Sequence, residues 1–549
     1  MKKDKKLNIN IFLVLFLYFL LLFSISSYVI TGEIYSVAPF SDTFLTHIEK
    51  LSTTGRMEYS VPFYNKLDES ITIGFTPRDG TQLNGKIIPQ GFPYIPFSIG
   101  ILNIVSKCSI FLVPLILTLI GLIIFLLNTS IFNTGNIIVL YLYTFFPIPF
   151  ILNRIIFDGN IFFSFFFLFG LFFLFKYHKD PQLTNYFLSL FFLGVAVLYR
   201  YNLALIYLPL SIYYIYDFYR SDGKRKDKSK TEKKKLLIFF SVFSLILISV
   251  GILNMQLYGS FFKTGYQIGG DIIKKTGFPA ENFEGIFTFQ STNFIAQIRI
   301  YILGFLGLFF LLFLLSSAYY WWKQNTFRYN GGYFFGTLVW MITLITFLYL
   351  GGRGSSGGIK FDITASFLRN NLIVFCLWIP LIAQFILRQK KAIQILFSFV
   401  SSIYFMVSLF SPSNTNLFYL INKEKEQILY QKIILENTEE DSIILTSKLD
   451  TVLRDKRNVL SSVFLGEYNN QEGKISQSFL SNYPSEEILA KKLCSLKKKI
   501  NNEIYIANMY PYVQNEQKFI NLLREEGCDA KQIYKYNRLS IKKLEKLKI

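Results

Sequence analysis

Residues 11–30, "IFLVLFLYFLLLFSISSYVI", contain no charged side chain. A helix rises roughly 1.5 Å per residue, so about 20 apolar residues cross the hydrocarbon core of a bilayer. The same pattern recurs at about 109–127, 136–152, 160–175, 183–199, 202–216, 236–254, 298–320, 332–350, 371–387 and 392–410. These runs predict an α-helical polytopic membrane protein of about eleven transmembrane helices. The first run is longer than the apolar core of a signal peptide and no A-x-A-like site follows it, so it reads as a retained helix. A twelfth apolar block, 87–106 ("IIPQGFPYIPFSIGILNIVS"), carries three prolines and two glycines and makes a poor continuous helix. It is expected at the membrane surface or dipping partly in.

Basic residues fix the orientation, because they collect in short cytoplasmic loops. With "KKDKK" at the N-terminus inside, Lys176 and Lys179, the run Arg220–Lys235, Lys323 with Arg328, and Arg388–Lys391 all fall inside. Regions 31–108, 153–159, 255–297 and 351–370 then lie outside, with the tail from about 413. A full span at 87–106 would put the 220–235 run outside, unless another helix were dropped. The division is a membrane domain over 1–412, with a first outer loop at 31–108, and a soluble extracytoplasmic domain over 413–549. The net charge of +21 is spread over loops and tail with no recognition motif, which argues against nucleic acid. The 220–235 run is a topology determinant that can also touch anionic lipid.

The tail alternates β-rich runs (442–446, 458–462, 503–508, 532–536) with helical patterns (423–437, 485–499, 513–526), as a small α/β domain does. No G-x-G-x-x-G follows any of these strands, so no nucleotide site is implied. Cys494 and Cys528 lie in this tail, as a disulfide that an extracytoplasmic side permits or as two buried thiols. Cys108 and Cys376 fall at or within apolar segments and read as packing residues.

The chemistry is expected in the outer loops. Asp42 opens the run Phe44, Leu45, Ile48, Leu51, one face of a helix lying on the membrane surface. Asp is a good N-cap, which alone would explain it. His47 is five residues on, about 140° around the helix, and reads as a surface residue. Asp158, in "NRIIFDGN", could equally be a turn residue. In "LYGSFFKTGYQIGGD", Tyr258, Lys263 and Tyr266 could meet a phosphate headgroup. The stretch "GGRGSSGGIKFDITASFLRNN" offers glycine N–H groups with Arg353, Lys360 and Arg369, which suit phosphate.

The ordered set resembles a known family. An acid and an amphipathic run follow the first helix. Then come "GKIIPQGFPYIPFSIGIL", "YTFFPIPFILNRIIFDGNIFFSFFFLFGLFFLF", "FLGVAVLYRYNLALIYLPLSIYY" and "YGSFFKTGY". Over roughly residues 10–390 this is similar to the GT-C superfamily of membrane glycosyltransferases, in the branch of the protein O-mannosyltransferases and bacterial aminoarabinose transferases. The resemblance implies a first-loop catalytic base at Asp42, although "SDT" lacks the second acid that usually adjoins it. It implies a second acid at Asp158 and an Arg at the outer end of the fifth span, Arg200. It also implies a donor-lipid loop with Lys263 and Tyr266, and a late Arg for the lipid phosphate, Arg369. The run "YYWWKQN" only superficially resembles the Trp-Trp-Asp motif of oligosaccharyltransferases: Lys323 replaces the acid, and the stretch is expected inside.

The implied activity is inverting transfer of a sugar from a polyprenyl-phosphate donor to a glycan, lipid or protein acceptor at the outer membrane face. Asp42 would take the acceptor's hydroxyl proton, and Arg200, Lys263, Arg353 and Arg369 would stabilise the departing phosphate. No cofactor is required by the sequence, though Asp42 and Asp158 could share a divalent metal. The rival reading is a transporter or flippase of a lipid-linked or glycan substrate. Such proteins carry ionisable residues at mid-membrane, whereas here these residues gather on one face.

Overall fold

The computed structural model describes residues 2–30, 39–67, 80–89, 109–132, 136–145, 159–199, 228–263, 307–322, 330–351, 372–410, 429–446, 457–461, 486–507, 516–536 and 539–547, with single positions between them. The helices of the apolar blocks are α1 (Lys2–Ile30), α3 (Ser109–Phe132), α4 (Ile138–Thr144), α5 (Gly159–Lys179), α6 (Leu183–Tyr199), α7 (Lys228–Tyr258), α8 (Gly307–Trp322), α9 (Asn330–Gly351), α10 (Leu372–Leu387) and α11 (Lys391–Phe410). Helix α2 (Pro39–Thr54) lies in the first loop. The expected span at 202–216 falls almost wholly outside the described residues. Among the described residues, three helices are long and apolar enough to cross a membrane by length and composition: Leu112–Phe132, Gly159–Lys179 and Lys233–Tyr258.

Small and polar residues set the packing of the bundle, because apolar surface gains nothing by leaving lipid and close approach has to drive association. Gly170 of α5 lets Leu193 of α6 lie against its backbone, and Ser189 Oγ donates to the Gly170 carbonyl at 2.9 Å. Gly121 of α3 makes room for the Tyr143 ring, whose hydroxyl donates to the Leu117 carbonyl at 2.6 Å. Deep in the bundle, Trp378 Nε1 donates to Thr343 Oγ1 at 3.0 Å, and Gln384 Nε2 to Asn128 Oδ1 at 3.1 Å. Cys376, as expected, is a buried packing residue; Cys108 lies outside the described residues.

The first loop contains a three-stranded antiparallel sheet, β1 (Tyr59–Ser60), β2 (Gly80–Leu83) and β3 (Lys86–Pro89), in order β1-β3-β2. Thus 87–89, read above as the start of a membrane-surface block, is the end of a strand. Asn84 and Gly85 have φ of 49° and 74°, the two positive values a two-residue type I′ hairpin needs.

The tail forms a mixed five-stranded sheet from β4 (Ile443–Thr446), β5 (Asn458–Ser461), β6 (Ile504–Ala507), β7 (Cys528–Tyr536) and β8 (Leu539–Lys546), in order β5-β4-β6-β8-β7. Strand β4 is parallel to β5 and β6, and β8 is antiparallel to β6 and β7. Side chains alternate with period two. On one face Ile443, Leu445, Ile504 and Ile506 pack with Leu489 and Leu493 of α12 (Glu486–Lys499) and Phe519 and Leu523 of α13 (Glu516–Glu525). On the other, Ile444, Val459 and Tyr505 pack with Tyr430, Ile433 and Ile434. The first of these clusters also takes in Val61, Leu67, Ile71, Phe75 and Ile87 of the first loop, so loop and tail share one apolar core. Cys494 and Cys528 pair as a disulfide, with Cα atoms 5.8 Å apart, which decides between the two readings above.

Candidate active site

Helix α2 starts at Pro39, four residues earlier than an N-cap at Asp42 would require. Pro39 occupies its first position, where a missing N–H costs nothing. Asp42 therefore sits inside the first turn, where the N-terminal end of the helix dipole favours a carboxylate. Gly55, with φ 72°, ends the helix and donates its N–H to the Leu51 carbonyl at 3.0 Å, a left-handed C-terminal cap.

The buried side of α2 meets protein, not only a membrane surface. Ile48 joins the core of the helical bundle. Leu51 joins Met57, Ile88, Leu253, Leu257 and Tyr258 in a separate cluster. His47, expected at the surface, is fully buried between them. Its ring lies against Tyr59 with centroids 5.4 Å apart, and Nδ1 is 2.6 Å from the Met57 carbonyl. A carbonyl only accepts, so Nδ1 carries a proton, and full burial keeps the imidazole neutral. Burial lowers its pKa to about 4, since desolvation disfavours the charged form. The correction follows from the fold: Met57 and β1 return across α2 and cover the face that holds His47.

Strand β3 leads from this helix to the end of α7. Tyr258, its last residue, is buried and donates its hydroxyl to the Pro89 carbonyl at 2.9 Å. That bond replaces the headgroup contact expected of Tyr258. Beyond it Gly259 turns the chain with φ 68°, and Lys263 is exposed.

Tyr94 and Ser98 connect the cluster of Leu51 and Tyr258 to the ends of α5 and α6. Tyr94 packs against the α2–α7 cluster, and burial raises its phenol pKa to about 12. Its carbonyl accepts a hydrogen bond from Ser98 Oγ at 2.6 Å. Ser98 and Tyr199 are joined by a side-chain hydrogen bond. Tyr199, the last residue of α6, stacks on Phe162 and Phe166 of α5 with centroids 5.1 and 5.3 Å apart. One strap, made of residues 86–89, Tyr94 and Ser98, therefore ties α2 to the terminal turns of α5, α6 and α7.

The expected site residues stand as follows. Asp42 is on α2 and Lys263 follows α7, and these two helices share one buried cluster. Asp158 directly precedes α5 in sequence and Arg200 directly follows α6; both lie outside the described residues, as do Tyr266, Arg353 and Arg369. Among the described residues, no group of three or more His, Cys, Asp and Glu is placed to hold a metal ion. Sequence reasoning passed over Tyr94 and Ser98. It also missed the Asn84-Gly85 turn, a hairpin signal that was there to be read.

A family described as dolichyl-phosphate-mannose-protein mannosyltransferase matches residues 92–251, a stretch that includes Tyr94, Ser98, α5, α6 and most of α7. Among solved structures, the oligosaccharyltransferase AglB from Archaeoglobus fulgidus, in complex with an inhibitory peptide and a dolichol-phosphate, has a TM-score of 0.51 at 10% identity, covering 96% of this chain and 74% of that one. ArnT from Cupriavidus metallidurans, bound to undecaprenyl phosphate, has a TM-score of 0.50 at 10% identity, covering 97% of each. No curated protein sequence matches. The family match covers less than a third of the chain, and the two solved structures show a shared fold.

Proposed function

We propose that the protein transfers a sugar from a polyprenyl-phosphate donor to an acceptor hydroxyl at the outer face of the membrane, with inversion at the anomeric carbon. The observation that carries this reading is the strap of residues 86–89, Tyr94 and Ser98, whose contacts link the helix of Asp42 with the ends of α5, α6 and α7. A lipid-linked sugar has its reactive carbon at the membrane–water boundary, so such a gathering is where the chemistry has to occur. The solved relatives bound to dolichol-phosphate and undecaprenyl phosphate support a lipid-phosphate donor.

In this mechanism the acceptor oxygen attacks the anomeric carbon while Asp42 accepts its proton. The bond from that carbon to the phosphate oxygen breaks, and polyprenyl phosphate departs with the electron pair. Asp158 orients the reactants. Arg200, Lys263, Arg353 and Arg369, with the Tyr266 hydroxyl, hold the phosphate as its charge develops, where fixed donors act most strongly in a site with little water. A divalent ion between Asp42 and Asp158 would supply further charge neutralisation. The N-terminus is cytoplasmic and the C-terminal sheet extracytoplasmic in this reading, a compartment compatible with the Cys494–Cys528 disulfide.

Asp42→Asn tests it. A general base contributes about 10²–10⁴-fold, so the purified variant should lose that much turnover of a labelled polyprenyl-phosphate sugar while keeping its helix content and membrane insertion. Wild-type turnover in the Asn variant removes Asp42 from the role. Labelled sugar that crosses the membrane without joining an acceptor would identify a transporter instead.

A further inference from the structure

The end of α7 does not run out into water but hooks back on itself. Gly259 ends the helix, donating its N–H to the Met255 carbonyl at 3.0 Å. Two residues later the Phe261 carbonyl accepts from Asn254 Nδ2 at 3.4 Å. The Phe261 ring lies directly on Gly251, so that a Cβ there would overlap it. Gly251 is eight residues before Gly259, about 12 Å down the helix axis. The chain has therefore reversed, and the hook descends beside the apolar part of α7.

Phe262 projects from this hook, 85% exposed, its ring edge-to-face with Phe261 at 5.0 Å between centroids. Exposure of a whole aromatic ring to water is costly. The occupant of its surroundings is indicated by the helix beside it. Residues Lys233–Tyr258 form a span of which only 17% is buried inside the protein, and Ile248, Ile252 and Met255 are each at least half exposed along one face. Gly251, where Phe261 docks, is about 40° around the helix from Met255. The hook thus lies at the edge of a lipid-facing stripe.

We infer that residues 259–263 are a membrane wedge: Phe262 inserts among lipid acyl chains, Phe261 latches the wedge to Gly251, and the latch fixes Lys263 at the height of lipid phosphates. Gly251 and Phe261 are positioning residues, acting through Lys263. The bilayer contact stands on the geometry alone; the consequence for donor binding rests on the reading of Lys263 given above.

A benzophenone amino acid placed at position 262 tests the wedge in full-length protein held in nanodiscs of palmitoyl-oleoyl phosphatidylglycerol. After irradiation, mass spectrometry of peptides should find lipid adducts as abundant as those from the same probe at Met255, and at least tenfold above those at Tyr64, an exposed aromatic of the first loop. Gly251→Leu, which evicts the Phe261 ring, should cut the adduct at 262 several-fold and leave that at 255 unchanged. Phe261→Ala should do the same without touching the helix. An adduct level at 262 equal to that at Tyr64, or one that neither substitution changes, overturns the wedge. KM for the lipid donor should rise in both variants with kcat held. If the adduct is lost and KM is unmoved, the role of Lys263 in donor binding fails while the bilayer contact stands.

Discussion

Acidification should unlatch α2 from the first loop, and His47 is the reason. In the folded protein its imidazole is buried and neutral, with a pKa of about 4; in an opened segment it returns to about 6.5. Between those values the opened form takes up a proton that the closed form refuses. Stability of the closed form is therefore complete above about pH 6.5 and declines as pH falls towards 4. Each unit is worth about 1.4 kcal/mol, so at pH 4.5 the loss is about 3 kcal/mol, or roughly 100-fold in the opening equilibrium. Hydrogen–deuterium exchange on peptides spanning 44–59, corrected for the intrinsic pH dependence, reads this opening directly. Peptides from α10, which carries no titratable carboxylate or His, serve as the internal reference. Protection of 44–59 should fall about 100-fold relative to α10 between pH 7 and 4.5. The comparison chain is His47→Phe, which loses the bond to Met57 and so starts less protected, but has nothing to titrate there. It retains Glu58 and its partner Lys86, so any contribution from that ion pair remains. If wild type and His47→Phe lose protection equally over this range, His47 is not the group that holds the latch.

Three further outcomes follow from the contacts described. Gly85→Val should lower stability of the hairpin by more than about 1 kcal/mol, because φ is 74° and a Cβ would strike the Tyr64 ring; exchange of peptides from β2 and β3 measures it. Tyr258→Phe should leave the Pro89 carbonyl without this donor and cost about 1–3 kcal/mol, seen as a lower Tm with the loss confined by exchange to 83–94 and the end of α7. Cys494→Ser together with Cys528→Ser should destabilise the C-terminal sheet by up to about 4 kcal/mol for a loop of this size. Limited proteolysis between β6 and β8 should then accelerate, and a reducing agent should affect wild type and not the double variant.

The apolar helices were the most legible part of the chain, because a long uncharged run records its helix in composition and length alone. The strands at 443–446 and 504–507 were legible for a related reason: both faces are buried, and a short continuous apolar run records that directly. Strand β8 was missed because "LSIKKLEK" alternates apolar residues with lysines that its neighbours satisfy only in three dimensions. Helix α2 was legible as a periodicity but not as a contact. Its apolar stripe fits a bilayer surface as well as it fits protein, and His47 within the stripe gave no sign of burial without Met57 and Tyr59 folded over it. The strap was hidden for the opposite reason. Prolines and glycines marked 87–106 as irregular, yet which helix ends it would tie together depends on hydroxyl-to-carbonyl bonds between residues as remote as Pro89 and Tyr258. For the candidate site, sequence order supplied the acids and cations, and the fold adds that the helix of Asp42 and the helix before Lys263 share one buried cluster.

The apolar core shared by the first loop and the C-terminal sheet has a consequence in time. Val61 and Ile87 leave the ribosome early, and their partners Ile443, Ile504 and Leu544 come at the other end of the chain. At synthesis rates of about 5–20 residues per second, the loop waits some tens of seconds for its missing half. During that interval β1–β3 expose apolar side chains that nothing covers, so a newly made chain is most open to proteases and chaperones at the very loop that carries Asp42. A truncation in the last strand would be felt there, at a place nearly the whole length of the sequence away.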